Sequence, residues 1–419
     1  WIGLYGSFLL MVMFSAYIFI ILHYSSFVPC SCGGILEKMT WNEHLIFNIA
    51  FVILAGIAIV LQSGSRFVYG FLSIHALTGL ATITILFLLS EDIMEHRNNF
   101  VRRLPEQVNK THDTDLKFNS YYFAGEANGK IYLGNVTMPL LLTEVDTTLK
   151  IIKEITVQID KMELPFKAVQ INVQSDYFFV SDGTVPAIFK GKTGTWKAKY
   201  IPLKTKQFSN QVFMDSISIA YRTRNENSEG VLGFSAFGKT QDNVVNPALL
   251  QKQIDGIFDT DGLLMFDKSI DRAVYLYYYR NQFIVTDPNL NLVLKGKTID
   301  TISKAQIKVA YNTDRNERKL SAPPLTVNKN GYLHNGLLFV NAALIGKFED
   351  IKMWKQTSMI DVYDVRTSNY IQSFYVYNID GKKLSRYIVV GNNFYGLVGT
   401  HIVCYKLNDL ITNRYSKTE

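Results

Sequence analysis

Residues Ile2–Leu22 read IGLYGSFLLMVMFSAYIFIIL and contain no Asp, Glu, Lys or Arg. A transmembrane helix needs about 20 mostly apolar residues, so this stretch is long enough to cross a bilayer. Two further stretches of the same kind follow, Leu45–Leu61 and Phe71–Leu89. A cleaved signal peptide would explain one such stretch but not three. The sequence therefore predicts an α-helical transmembrane bundle with three visible spans.

The chain begins with Trp1 rather than an initiator Met, and residues 1–6 already have the composition of a membrane helix. We therefore expect a truncated sequence, from which earlier membrane helices are missing.

Two of the three cysteines lie one residue apart in Pro29-Cys30-Ser31-Cys32-Gly33-Gly34, between the first two apolar stretches. A disulfide between them would close a very small, strained ring, and strain makes a disulfide more oxidising and easier to exchange. One thiolate would attack an incoming disulfide and the other would resolve the mixed disulfide. The pair therefore predicts thiol redox chemistry at a membrane surface. A structural disulfide and an inert thiol pair are the alternatives, whereas a zinc site lacks further Cys or His ligands nearby.

Three other residues are candidates for a part in this chemistry. His44, one helical turn before Asn48, follows the cysteine loop and could stabilise a thiolate or relay a proton. An interfacial residue at a helix start is the simpler interpretation of His44, and the same holds for His75 inside the third span. Cys404 lies in an alternating strand pattern, which is typical of a buried, inert thiol.

The number of spans decides whether the cysteine loop and the C-terminal residues lie on the same side of the membrane. With three spans, both lie on the same side of the membrane, and disulfide chemistry favours the oxidising, periplasmic side of a bacterial inner membrane. Arg97, Arg102 and Arg103 after the third span, against Arg66 before it, favour the cytoplasm by the positive-inside rule. We favour the periplasmic side, and the two arguments stay in conflict.

The formal net charge of +7 does not indicate a nucleic-acid partner. Basic residues are scattered, and their runs do not exceed pairs such as Arg102-Arg103 and Lys382-Lys383. A solvated surface is the better interpretation, so the partners expected are the lipid bilayer and a protein, with no nucleic acid.

Residues after about 106 have the pattern of an all-β domain, in which short runs of Val, Ile, Tyr and Phe alternate with Gly, Asn and Asp turns. Four acidic turns recur, at Asp146, Asp182, Asp287 and Asp364. They predict turn-forming side chains rather than metal ligands. A repeat of about 40–50 residues suits a β-propeller, here with six or seven blades. Asn393–Val403 would form the last strand pair and close the ring with a strand from near residue 117.

The stretch after the cysteine motif is Trp41-Asn42-Glu43-His44-Leu45-Ile46-Phe47-Asn48. A span, then Cys-x-Cys-Gly, then a Trp leading into another span resembles the DoxX/MauE group of redox-associated membrane proteins. The resemblance covers about residues 1–62, corresponds to the last two of four helices, and leaves the third span without a counterpart. It implies a role in maturing methylamine dehydrogenase, whose small subunit needs many disulfides. The arrangement is also similar to the bundle of vitamin K epoxide reductase, which makes a quinone the candidate electron acceptor.

Residues 116–122 (LKFNSYY) and 131–135 (IYLGN) resemble uncharacterised Bacteroidetes proteins that fuse the same two parts, and this resemblance implies no activity. The expected organisation is a membrane module at 1–90, a linker at 91–115, an exported β-propeller at 116–410 and a tail at 411–419. The chain carries no Gly-x-Ser-x-Gly, P-loop or His-Glu-x-x-His motif.

The leading interpretation is a thiol–disulfide redox protein, a possible oxidoreductase, that uses Cys30, Cys32 and His44 on an envelope partner docked by the propeller. The alternative is a membrane-anchored propeller that acts as a sensor or scaffold without redox activity. A third interpretation is a propeller enzyme acting on glycans or peptides, which an apolar-lined axial pocket without clustered carboxylates or histidines would argue against.

Overall fold

The computed structural model describes residues 2–24, 40–63, 65, 67–96, 98–104, 106–202, 207–237, 243–312 and 317–416. The chain divides into two compact units. One contains Trp1–Arg97 together with Ile307–Pro324, and the other contains Asn98–Gln306 and Leu325–Glu419.

Three long helices make up most of the first unit: α1 (Ile2–His23), α2 (Trp41–Gln62) and α3 (Val68–His96). Each contains a stretch of 22 residues that is long and apolar enough to cross a membrane. Phe8, Val12 and Ile59 pack in a small core between them, but most of their apolar surface is not covered by protein. Apolar surface of this extent suits contact with lipid. The predicted spans are therefore confirmed.

Hydroxyl groups within these helices bond to their own backbone. Ser15 Oγ donates to the carbonyl of Met11 at 2.8 Å, and Thr78 Oγ1 donates to the carbonyl of Ile74 at the same distance. A polar group in hydrocarbon needs such a partner, because water is absent there.

The remaining elements, in chain order, are the strands β1 (Asn109–Asp115), β2 (Tyr121–Ala127), β3 (Lys130–Asn135), β4 (Leu141–Asp146), β5 (Ile151–Thr156), β6 (Gln158–Ile159), β7 (Gln170–Gln174), β8 (Tyr177–Asp182), β9 (Ala187–Lys192), β10 (Lys197–Ile201), β11 (Phe208–Phe213), β12 (Ser218–Arg224), β13 (Gly230–Ala236), β14 (Asn243–Asn246), β15 (Gly262–Asp267), β16 (Arg272–Tyr277), β17 (Gln282–Thr286) and β18 (Leu292–Lys297). They continue with β19 (Val309–Asn312), β20 (Glu317–Leu320), β21 (Asn328–His334), β22 (Leu337–Ala342), helix α4 (Ile351–Gln356), β23 (Thr357–Asp364), β24 (Asn369–Tyr377), β25 (Leu384–Val390), β26 (Asn393–Val398), β27 (His401–Lys406) and helix α5 (Asp409–Thr412).

Six four-stranded antiparallel blades account for all but three of these strands: β2–β5, β7–β10, β11–β14, β15–β18, β21–β24, and β25–β27 completed by β1. The first two blades are joined by a short parallel pairing between β2 and β7. Strand β6 adds to the edge of β10, and β19 and β20 form a separate hairpin in the other unit. The arrangement is a six-bladed β-propeller, so the predicted fold class is confirmed with the lower of the two blade numbers.

The hydrophobic core of the propeller is divided among the interfaces between neighbouring blades. Strands alternate their side chains between two faces, so each blade buries one face against the blade before it and one against the blade after it. Phe179 of the second blade, for example, stacks on Phe213 of the third with ring centres 3.9 Å apart. Six apolar clusters occupy the six interfaces, including the interface between the last blade and the first. The ring of blades is therefore closed by packing as well as by hydrogen bonds.

Closure depends on β1, which pairs antiparallel with β27 from Asn109↔Lys406 to Asp115↔His401. The ring of His401 also contacts the Asp113 carboxylate, with Nδ1 and Oδ1 2.7 Å apart. The predicted strand pair at Asn393–Val403 is thus confirmed, and its partner ends at Asp115, just before the expected position. The structure differs from the predicted linker at 91–115, since α3 extends to His96 and β1 belongs to a blade. Strand β1 does not show the apolar pattern of a strand, because its residues are polar. Its outer position in the blade leaves most of its side chains exposed.

The segment before β1 is fixed to the fifth blade by Arg102, whose side chain is only 1% exposed. Its Nε donates to Oδ1 of Asp361 and its Nη1 donates to Oε1 of Glu349, both at 2.6 Å, while Nη2 donates to the carbonyl of Leu344 at 3.0 Å. Burial alone would lower the pKa of Arg102, but the charges of Asp361 and Glu349 outweigh it and raise that pKa. The guanidinium therefore stays charged inside the protein.

Candidate functional site

The predicted redox pair belongs to the connection between α1 and α2. Helix α1 ends at His23 and α2 begins at Trp41, which places Cys30 and Cys32 between two apolar helices in the sequence. Both cysteines lie outside the described residues, so their role remains a prediction. The two helix ends that flank them are described.

A capping box fixes the start of α2. The backbone N–H of Thr40 donates to Oε2 of Glu43 at 2.6 Å, and the backbone N–H of Glu43 donates to Oγ1 of Thr40 at 3.4 Å. The two side chains thereby satisfy backbone groups that the first turn of a helix leaves unpaired. The connection that carries the cysteines thus ends at a defined position.

His44 lies in the first turn of α2, where its backbone N–H donates to the carbonyl of Thr40 at 2.9 Å. Its half-buried ring is 5.8 Å from the ring of Trp41, centre to centre. Asn48 follows one turn later and is also half-buried. The catalytic role of His44 stays a prediction.

His75, the second candidate histidine, lies in the third helix, α3. Its Nδ1 is 2.8 Å from the carbonyl of Phe71, which fixes this nitrogen as the donor, and its ring is 5.2 Å from that of Tyr5. The polar ring nitrogen is thus satisfied by its own helix, as in the hydroxyl contacts described above.

Cys404 is a free thiol on β27 and is buried in the apolar cluster between the last blade and the first. Burial raises the pKa of this thiol, although hydrogen bonds with Thr111 and Tyr395 oppose the change. A thiol with a raised pKa forms little thiolate, which is the reactive species. The prediction of a buried third cysteine is confirmed.

The four recurring aspartates form turns, as predicted. Asp146 Oδ1 accepts from the backbone N–H of Thr148 at 2.9 Å, and Asp182 Oδ1 accepts from that of Thr184 at the same distance. Asp287 and Asp364 accept comparable bonds. Asp146, Asp287 and Asp364 lie at the end of the third strand of a blade, whereas Asp182 lies at the end of the second strand, so treating Asp182 as their equivalent was wrong. Across the described ranges, no group of three or more His, Cys, Asp or Glu side chains could hold a metal ion.

One site was missed by the sequence reasoning: a cavity of about 510 Å³ at one end of the propeller ring. Most of its lining comes from the beginnings of the innermost strands, including Gln170, Asn210, Lys329 and Arg386. Among the residues that the structure describes, its lining contains no carboxylate and no histidine, but it is polar rather than apolar, so the glycan- or peptide-processing enzyme stays an untested interpretation. Single residues from separate blades carry no motif, so the sequence offered no signal for it.

Residues 1–61 match the family model described as methylamine utilisation protein MauE. No curated protein matches the chain. Among solved structures, a DUF4221 family member from Bacteroides vulgatus is 14% identical with a TM-score of 0.42, covering 72% of this chain and 98% of its own. A catalytically inactive virginiamycin B lyase from Staphylococcus aureus with quinupristin is 12% identical with a TM-score of 0.43, and BamB from Moraxella catarrhalis is 10% identical with a TM-score of 0.38. Each of these two covers 72% of this chain and 100% of its own length.

Identities and TM-scores this low add nothing to the propeller assignment, which rests on the six blades and the six cores between them. The chain is similar to MauE over residues 1–61, and a third apolar helix and a six-bladed β-propeller follow that region.

Proposed function

We propose that this protein is a membrane-bound thiol–disulfide redox protein that assists the maturation or disulfide status of an envelope partner, which the propeller docks. The observation that carries the proposal is the match to MauE, because residues 1–61 include α1, almost all of α2 and the Cys30–Cys32 pair between them. The burial of Cys404 supports it, because a buried thiol is not accessible to a partner disulfide.

The exchange proceeds in two steps. A thiolate of the pair attacks a partner disulfide, which forms a mixed disulfide and releases one partner thiolate. The second cysteine then attacks the mixed disulfide, which forms the Cys30–Cys32 disulfide and releases the second partner thiolate. Two electrons pass to the partner, and a dithiol protein restores the reduced pair.

The reverse sequence oxidises the partner and leaves the pair reduced. A quinone, which takes up two electrons and two protons to become a quinol, would then restore the Cys30–Cys32 disulfide. Structural disulfides form in oxidising compartments, so the proposal puts the cysteine loop and the propeller on the periplasmic side.

Thiol trapping in intact cells tests the proposal. A membrane-impermeant alkylating reagent should add mass to Cys30 and Cys32 after reductant and not after oxidant, and the change should be reversible. Labelling only after lysis would contradict the periplasmic side, and a pair that never changes state would contradict the redox role. Cys404→Ser is the matched control and should leave the labelling pattern unchanged.

Single cysteine variants distinguish disulfide exchange with a partner from simple alkylation of an accessible thiol. With Cys30→Ser or Cys32→Ser, one attacking thiol lacks its resolving partner, so a mixed disulfide should accumulate on a non-reducing gel. If His44 stabilises the thiolate, His44→Gln should slow alkylation, whereas His23→Gln at the end of α1 should not. Exchange that persists in the double cysteine variant would refute the proposal.

The second candidate function, an anchored propeller that senses or scaffolds without redox chemistry, is favoured by the cavity at the end of the ring. It predicts that an unrelated membrane anchor can replace α1, α2 and α3 without loss of function. Under the redox proposal, the same replacement abolishes function.

A further inference from the structure

The cavity in the propeller ring brings together parts of the chain that are far apart in sequence. Residues at or near the beginnings of β7, β11, β15, β21 and β25 line it, so five of the six blades contribute an innermost strand. At about 510 Å³ it lies within the range of small-molecule sites, which is roughly 300–1,000 Å³.

Two cations, Lys329 on β21 and Arg386 on β25, are the charged residues of the lining. Neither side chain makes a hydrogen bond or an ion pair with any residue that the structure describes, although each is open to water in the cavity. By contrast, Arg102, a buried cation of the fifth blade, is neutralised by Asp361 and Glu349. The cavity therefore holds positive charge without a countercharge.

The protein around Lys329 also makes the positive charge of this side chain less favourable. Lys329 is exposed, so water reaches its ammonium group through the cavity, but the neighbouring protein removes part of the hydration of that group. This desolvation, together with the positive charge of Lys383, lowers the pKa of Lys329 to about 8. A lysine in this state gains from an anion, which supplies the charge that the protein withholds.

Neutral polar groups beside the cations also have free bonding capacity. The amide of Gln170 and the hydroxyl of Tyr278 have no hydrogen-bond partner in the described ranges. By contrast, Asn210 Nδ2 already donates to the carbonyl of Gly262 at 2.8 Å, which ties two neighbouring strands and shapes the wall. The wall is thus fixed by internal bonds, while the groups that could meet a ligand are free.

We propose that this cavity binds the oxyanion group, carboxylate or phosphate, of a small molecule. Arg386 supplies the planar fork that such groups accept in a bidentate manner, and Lys329 supplies a second, point-like charge. Gln170 and Tyr278 donate to the remaining oxygens. The site is independent of Cys30 and Cys32, so its existence does not depend on the redox proposal.

Calorimetric titration of the full chain in detergent micelles tests the site with two probes, inorganic phosphate and succinate, at constant ionic strength. At least one probe should bind saturably, and Lys329→Gln and Arg386→Gln should each weaken binding about tenfold or more. Phosphate binding alone would assign a phosphate ligand, and succinate binding alone would assign a carboxylate ligand. Lys297→Gln, an exposed lysine on the outer strand β18, is the matched control and should bind like the unmodified protein.

A thermal unfolding scan without probe guards against an effect of misfolding. Because Lys329 and Arg386 pair with no described residue, their loss should not lower the unfolding temperature. Failure of both probes to bind would overturn the proposal, and so would binding that survives in both cavity variants.

Discussion

Replacing Arg102 by Met removes the one cation that, among the residues described by the structure, pairs with two buried carboxylates in the fifth blade. Asp361 is 3% exposed and Glu349 is 8% exposed, so neither recovers its hydration when the guanidinium is lost. Breaking a buried ion pair in this way costs about 3–5 kcal/mol. The expected loss in the free energy of unfolding of the propeller is therefore at least about 3 kcal/mol at pH 7.

The assay is urea unfolding of the full chain in micelles, followed by β-sheet circular dichroism. Arg103→Met is the matched control, because Arg103 is exposed and its guanidinium lies over the Tyr370 ring at 5.7 Å, a contact worth about 0.5–1 kcal/mol. Adding Asp361→Asn and Glu349→Gln to Arg102→Met should restore part of the loss, since no unpaired charge then remains. Equal losses in the Arg102 and Arg103 variants would refute the reasoning.

Two further predictions concern stability. Gly125→Ala should destabilise the propeller far more than Gly129→Ala, because its Cβ would collide with the carbonyl of Val173 across the β2–β7 pairing, whereas Gly129 faces open space. Both have positive φ, which costs about 1–2 kcal/mol with a side chain, so comparable urea midpoints would contradict the collision. Burial lowers the pKa of His334 from 6.5, so the unfolded chain binds its proton first and stability should fall as the pH drops through about 6.5. His334→Asn should flatten this decline between pH 7.5 and 5.5, and an unchanged slope would contradict it.

The membrane helices and the strands could be predicted from the sequence because each depends on a local pattern. The span Phe71–Leu89 needs only its apolar length, and helix α3 contains all of it. Likewise, Ile131–Leu133 is a short run of β-branched, aromatic and aliphatic residues, which is typical of a buried strand, and it is part of β3. Propeller blades pack against neighbours in chain order, so local strand patterns were enough to indicate the fold class.

The phase of the repeat was harder to predict, because an Asp turn can follow either the second or the third strand of a blade. Asp182 accepts backbone N–H groups from Lys167 and Ala168 as well as from Thr184. It therefore joins the loop before β7 to the turn after β8, a role that Asp146 does not have. Such a contact is set by the tertiary structure and leaves no trace in residue spacing.

The same distinction between local sequence patterns and tertiary contacts applies to the candidate sites. Cys30 and Cys32 could be selected from the sequence because adjacent thiols are rare and their chemistry is local. Lys329 and Arg386 could not, because each stands alone in its strand and becomes part of a site only through the ring. A site assembled from separate blades is visible only after the blades have been placed.

The order of the blades along the chain also bears on how the propeller folds. Strand β1 comes soon after the membrane helix α3, but its partner β27 is near the end of the chain. Arg102 likewise reaches Asp361 across 259 residues. Contacts of such long range require the cost of closing a large loop to be met before they form. Strand β1 therefore has no partner until β27 has been synthesised, and a propeller that lacks β27 would expose an open edge strand on each side of the gap. Closure of the ring thus requires the C-terminal strand β27, and it fixes strand β1, which follows the membrane helices.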